Sequence, residues 1–198
     1  MEVAKEIIKE VISKNLDIEK LSSISINTFH IADFGCSTGP NTFVAVQTIV
    51  EAISKKFETD LSNSHVLEFH VFFNDRTSND FNTLFAFLPP QRQYYAAGVL
   101  GSFYDRRFPK ASLHFAYSSC TLNWLSEIPK EVIDDHLSPA WNKGKILYYG
   151  DKKEVFNAYA LQFAKDLDSF LLFHLCLIVL TTLLILLYLR WNFWVLAS

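Results

Sequence analysis

His30-Ile31-Ala32-Asp33-Phe34-Gly35-Cys36-Ser37-Thr38-Gly39-Pro40-Asn41 runs a short apolar strand into a glycine turn, and an amphipathic stretch follows at once. In α/β folds this grammar places a nucleotide-like ligand at the carboxyl end of a central strand. Gly35 and Gly39 carry no Cβ, so backbone and ligand can approach closely. Phe43, Val46, Val50, Ile53 and Phe57 then recur at helical spacing. A helix is therefore expected over 41–56, with Pro40 where a first-turn proline is tolerated. The residues Phe29–Phe34 ahead of the turn read as a parallel strand covered on both faces.

Upstream, Val3, Ile7 and Val11, with Ile8 and Ile12 beside them, predict a helix over 2–14 with one buried stripe. The polar residues 15–27 read as a connection. Downstream, Val66–Phe73 is dense in β-branched and aromatic residues and reads as a second buried strand ending in Asn74-Asp75. Ser78 or Asn79 would cap a helix over 80–88, which Pro89-Pro90 stops. Further strands are expected at 94–99 and 113–117, and a helix at 154–171, with a loop-rich stretch between. This alternation predicts a doubly wound α/β sheet with helices on both faces.

The 198 residues suffice for one domain with a real core, and 18 of them are phenylalanine. A net charge of −3 argues against nucleic acid as a partner, since phosphate binding needs basic clusters. Cys36, Cys120 and Cys176 are far apart and odd in number, which suggests neither a zinc site nor a disulfide framework. A reducing compartment, the cytoplasm, is expected.

Asp75 sits where an acid usually accepts ribose hydroxyls, at the end of the second strand. It lies further from the glycine turn than the ~20 residues of a dinucleotide fingerprint, and a turn or cap role is the simpler alternative. Ser37, Ser102 and Ser119 are loop serines outside any G-x-S-x-G elbow, so no serine triad can be argued. The six histidines show no ligand spacing, and His70 and His114 read as satisfied core histidines within strands. The acidic residues of the C-terminal half read as solvated helix faces. Residues 35–40 supply no G-x-G-x-x-G, which sets aside an NAD-dependent oxidoreductase.

Five blocks then stand together in one order: IADFGCSTGPNT (31–42), FHVFFNDRTSNDFNTLF (69–85), GVLGSFYDRRFP (98–109), SLHFAYSSCTLNWLSEIP (112–129) and AWNKGKI (140–146). With them the chain resembles the plant SABATH carboxyl methyltransferases, over about residues 28–171. The resemblance implies a Rossmann-like methyltransferase sheet and S-adenosylmethionine as cofactor. It implies that Gly35, Cys36 and Asn41 form the cofactor turn and that Asp75 is the ribose-binding acid. Arg76 follows it, where the family usually has leucine, and Ser102 and Phe103 fall on the adenine side. Trp124 matches the tryptophan whose indole N–H anchors the substrate carboxylate, although a core aromatic is the alternative. Cys120 and Asn123 depart from the family's residues in the same substrate block, and Asn142 matches an asparagine that binds magnesium in some members.

The implied reaction is direct methyl transfer to a carboxylate, or a ring nitrogen, of a small plant metabolite. A carboxylate with a pKa near ~4 is already ionised at neutral pH, so the reaction needs positioning rather than a base. This accounts for the absence of a triad.

Two departures bear on activity. The family's N-terminal cofactor-closing segment lies ahead of the position matched by Met1, and the likeness is expected to end near Leu171, before the acceptor cap. Residues 1–171 would then be a partial methyltransferase domain and 172–198 a hydrophobic tail. Phe170–Leu189 is a run of twenty residues with His174 as its one strongly polar member, long enough as a helix to span a bilayer. Arg190, Trp191 and Trp194 would flank such a span. The alternative is a run without a selected role, of the kind a frame shift or retained intron produces. The expected partners are a small carboxylate, a membrane surface through 170–189, and a second copy or a full-length relative. A non-catalytic, membrane-anchored or partner-binding remnant is the competing functional reading.

Overall fold

The computed structural model describes residues 2–23, 27–60, 67–145, 152–175 and 178–187. Helices α1 (Glu2–Asn15) and α2 (Ile18–Ser23) lead into strand β1 (Thr28–Phe34). Helix α3 (Pro40–Asp60), β2 (Glu68–Asp75), α4 (Phe81–Ala86), β3 (Tyr95–Leu100) and β4 (Leu113–Ser119) follow. After a short 3-10 turn at Thr121–Asn123 come α5 (Lys130–Ile133), α6 (Lys153–Leu175) and β5 (Ile178–Leu187). The strands form one sheet in the order β3-β2-β1-β4-β5, and each neighbouring pair is parallel. The chain runs outward from β1 to β3, then returns to the other side of β1 with β4. That reversal opens a crevice beyond the carboxyl ends of β1 and β4, the standard ligand position in such sheets.

Alternation along each strand divides the core in two. Phe29 and Ile31 of β1 face Ile8 and Ile12 of α1 and Val46, Ile49 and Ile53 of α3. Ala32 and Phe34 face the other way, against Phe103, Phe108, Leu122 and Phe170 of α6. Phe34 meets Phe108 and Phe170 edge-on, at ring separations of 5.7 and 6.1 Å. Such T-shaped contacts each add ~1 kcal/mol to the area buried. Helix α6 is thereby held over the strand that carries the glycine turn.

The expected strands and long helices form close to their predicted bounds. The connection over 15–27 contains the short α2, whose Ile18 and Leu21 are buried. The cap of α4 is Asp80, not Ser78 or Asn79: its carboxylate accepts from the Thr83 amide at 3.0 Å.

The largest correction is the apolar run at 170–189. It is not one helix. Helix α6 ends at Leu175, and Ile178–Leu187 becomes β5, paired with β4 from Leu113↔Ile178 to Ser119↔Leu187 with a register shift between Leu113 and Phe115. Ile178, Val179, Thr181, Thr182 and Ile185 are β-branched and favour a strand. A parallel strand covered on both faces has the same unbroken apolar sequence as a membrane helix. Among the described residues no helix is long and apolar enough to cross a membrane. Arg190, Trp191 and Trp194 lie outside the described residues, as do Cys176 and His65.

At the opposite end of the sheet from the crevice, His30, His70 and His114 meet across three strands. The His114 Nδ1 accepts the backbone N–H of His30 at 2.9 Å, so that nitrogen is unprotonated. The expectation of a satisfied core histidine holds there. Burial, with a smaller contribution from His30, lowers the His114 pKa to about 4. An unfolded histidine titrates near ~6.5, so the unfolded chain takes up this proton first as pH falls. The stabilisation is complete above ~6.5 and is lost towards ~4. Replacing His114→Gln keeps a hydrogen-bond acceptor and removes the titration. The stability difference between the parent and this variant, from urea unfolding, should shrink by about 2 kcal/mol between pH 7 and 5. Titrations of groups that do not touch His114, including the opposing one of Asp33, cancel in that difference.

Candidate active site

The crevice at the sheet's carboxyl edge holds a cavity of about 730 Å³, within the usual ~300–1,000 Å³ range of small-molecule sites. Four strand ends contribute to its lining: Gly35 and Ser37 after β1, Asp75 and Arg76 after β2, Ser102 and Phe103 after β3, and Ser119 and Cys120 after β4. Tyr104, Trp124 and Ser126 complete one wall.

Gly35 is required twice over. Its φ of +78° lies in the left-handed region, and a Cβ there would come 2.3 Å from the Thr121 side chain. Thr121 cannot easily yield, because its hydroxyl donates to the Phe34 carbonyl at 2.8 Å. Gly39 differs: a Cβ there would meet nothing within 4 Å, so the protein's own packing does not demand a glycine.

Asn74 and Asp75 shape the site from β2. The Asn74 carbonyl accepts the amides of Gly35 and Cys36 at 2.8 and 3.1 Å. Its side-chain amide donates to the carbonyls of Val99 and Gly101, at 2.8 and 3.1 Å. The Asp75 carboxylate accepts the amide of Ser37 at 2.6 Å and that of Arg76 at 2.7 Å. Its carbonyl accepts the amide of Gly101 at 2.8 Å. An acid so held points a fixed pair of oxygens into the cavity, with lone pairs left for hydroxyl donors.

Behind the turn, the 3% exposed Asp33 accepts a hydrogen bond from the Thr42 hydroxyl. Burial pushes its pKa up to about 7; the Thr42 bond opposes that rise and the Asp75 charge adds to it. Burial also pushes the Cys36 thiol up, with Asp33 and Asp75 contributing. Cys36 is therefore a protonated packing residue rather than a thiolate nucleophile.

The wall opposite is pinned from two sides. The Tyr104 hydroxyl donates to the Trp124 carbonyl at 2.7 Å. Ser126 donates to Asp166 of α6 through its amide at 2.8 Å and its hydroxyl at 2.6 Å. Gln162, one turn earlier, donates to the same carboxylate at 2.9 Å. Asp166 is 4% exposed, so the reading of the C-terminal acids as solvated does not hold for it.

Of the sequence-expected site residues, Gly35, Asp75, Arg76, Ser102, Phe103, Cys120 and Trp124 line this one cavity. Cys36 is buried beneath the turn, Asn41 is exposed in the first turn of α3, and Asn123 is half-buried at the end of the 3-10 turn; none of the three lines it. Asn74, Thr121, Tyr104 and Asp166 were not anticipated. The helical spacing of Gln162 and Asp166 was visible, but nothing local marked that face as buried.

Nothing in the surroundings of Asn142 supports the magnesium expectation. This residue is 4% exposed, and its orphaned atom is Nδ2, a donor that a cation repels. Among the described residues no cluster of three His, Cys, Asp or Glu side chains could hold a metal.

Replacing Gly35→Ala should destabilise the protein by about 2–4 kcal/mol, from left-handed backbone strain plus overpacking. Adding Thr121→Ala removes the two 2.3 Å contacts, leaving its own Cβ at 2.8 Å, and should recover part of that loss. A urea-unfolding double-mutant cycle measures both.

The family model for SAM-dependent carboxyl methyltransferases matches residues 1–191, running past Leu171 and through β5. Loganic acid O-methyltransferase of Catharanthus roseus is 52% identical over 172 residues, which is 86% of this chain and 45% of that protein. Farnesoic acid carboxyl-O-methyltransferase of Arabidopsis thaliana is 52% identical over 168 residues, 85% of this chain and 46% of that one. A solved loganic acid methyltransferase with SAH aligns at a TM-score of 0.86 and 49% identity, covering 93% of this chain and 51% of its own. The chain spans about half the length of these relatives. With the family's blocks in order, its sheet reproduced and its model matched from end to end of the described residues, this chain belongs to the SAM-dependent carboxyl methyltransferase family.

Proposed function

We propose that this chain forms the cofactor-binding half of a methyltransferase that acts on a small plant carboxylate. The observation that carries the reading is the Asp75 carboxylate, fixed by the amides of Ser37 and Arg76 on the floor of the cavity. Its free lone pairs suit a pair of ribose hydroxyls. Gly35 allows the turn to lie tight against Thr121, while Ser102 and Phe103 offer a hydroxyl and an aromatic face beside Asp75. These residues fit S-adenosylmethionine, which supplies an electrophilic methyl group when bound.

The chain's own contribution is placement. Trp124 is 43% exposed and faces the cavity with an indole N–H available to a carboxylate oxygen. Phe103 and Trp124 supply aromatic faces that favour a cationic sulfur nearby. No thiolate or serine nucleophile is required, since an ionised acceptor needs only orientation and exclusion of water. Relatives named for loganic and farnesoic acids support a carboxylate rather than a ring nitrogen. A relative named for paraxanthine, at 46% identity, marks the ring nitrogen as the competing acceptor.

Calorimetric titration with S-adenosylhomocysteine should show saturable binding, and replacing Asp75→Ala should weaken it about 10–100-fold through the lost charge-assisted hydrogen bonds. Absence of binding to the parent chain, or equal binding by the variant, overturns the assignment.

A further inference from the structure

The loop that carries Trp124 is tied to α6 by a polar clamp, buried on the α6 side and exposed at Ser126, whose members form no part of the cofactor floor. Three donors converge on the Asp166 carboxyl group: the Ser126 amide, the Ser126 hydroxyl and the Gln162 side-chain amide. The Gln162 amide also reaches the Ser126 oxygen, at 3.2 Å. Asp166 and Gln162 are 4% and 7% exposed, and their spacing of four sets them on one helix face. Two residues before Ser126, the Trp124 carbonyl is held by Tyr104. The segment 124–126 is thus fixed at both ends, one from the β3 loop and one from α6. Between those ends the chain cannot rotate without breaking a part-buried hydrogen bond to Tyr104 or to Asp166.

We infer that Asp166, with Gln162, is a positioning residue for the acceptor wall: it sets the height and tilt of the Trp124 indole above the glycine turn. This rests on the reading of the cavity as a methyltransfer site for a small carboxylate. A general structural role would loosen the whole fold. A positioning role acts on Trp124 and on the acceptor while sparing the cofactor floor, because Asp166 touches neither Asp75 nor the Gly35 turn.

The test compares the parent chain with Asp166→Asn, which keeps size but cannot accept from all three donors, and with Ser126→Ala, which removes the hydroxyl from the other side. The Trp124 indole N–H resonance, assigned by its disappearance in Trp124→Phe, should shift or broaden in both variants while that of Trp141 stays in place. In calorimetry, S-adenosylhomocysteine should bind each variant within about twofold of the parent, and loganate added to the saturated protein should bind at least about tenfold more weakly. An unmoved Trp124 resonance in either folded variant overturns the inference, and so does an equal loss of both ligands. If the parent binds S-adenosylhomocysteine but not loganate, the acceptor reading fails, and the Trp124 resonance still decides the clamp. Should Asp166→Asn not fold, Ser126→Ala decides it alone.

Discussion

The site depends on one constraint: the adjacent residues Asn74 and Asp75 serve as hydrogen-bond partners for the loops on both sides of β2. Asn74 accepts two amides of the β1 turn with its carbonyl and donates to two carbonyls at the end of β3 with its side chain. Asp75 does the converse, accepting Gly101 with its carbonyl and Ser37 with its carboxylate. Each buried bond is worth ~1 kcal/mol net, but leaving a partner unpaired costs more, so the set holds together or fails together. The loops are therefore located by β2, a rigid strand in the sheet, and not by their own preferences.

The same arrangement explains the electrostatic character of the floor. Asp33 and Cys36 lie beneath the turn, where burial keeps the thiol protonated and raises the carboxyl to about 7. The charged group displayed at the ligand side is the exposed end of β2, Asp75 with Arg76 beside it. A turn built this way presents backbone and one held carboxylate to the cavity.

Much of this was legible in the residues. Buried parallel strands are continuous apolar runs, so β1, β2 and β4 could be read, and the glycine turn fell between a strand and a helix as the fold requires. The place of Asp75 at the cavity was legible because it stands where a strand ends. The misses share a cause, since each depends on a partner distant in sequence. Asp166 looked like any solvated helical acid until α6 settled over the 124–126 loop. Thr121 gave no sign that its side chain would fill the space a Cβ at Gly35 would need. The run Ile178–Leu187 has no period to distinguish strand from helix, and pairing with β4 decided it. Asn142 was legible only as a motif position, and among the described residues no cluster of three His, Cys, Asp or Glu side chains stands with it.

The clamp between α6 and the Trp124 loop also has a meaning in the order of synthesis. Every strand end that lines the cavity, and the wall through Ser126, precedes α6 in the chain. Ser126 and Asp166 are 40 residues apart. On a ribosome adding ~5–20 residues per second, the glycine turn, the acidic floor and the β3 loop all emerge seconds before the helix that fixes the last wall. The nascent domain thus passes through a stage in which the turn, the floor and the β3 loop have their hydrogen-bond partners while the 124–126 wall still lacks Asp166. Assembly of the site is vectorial, and its two halves mature at different times.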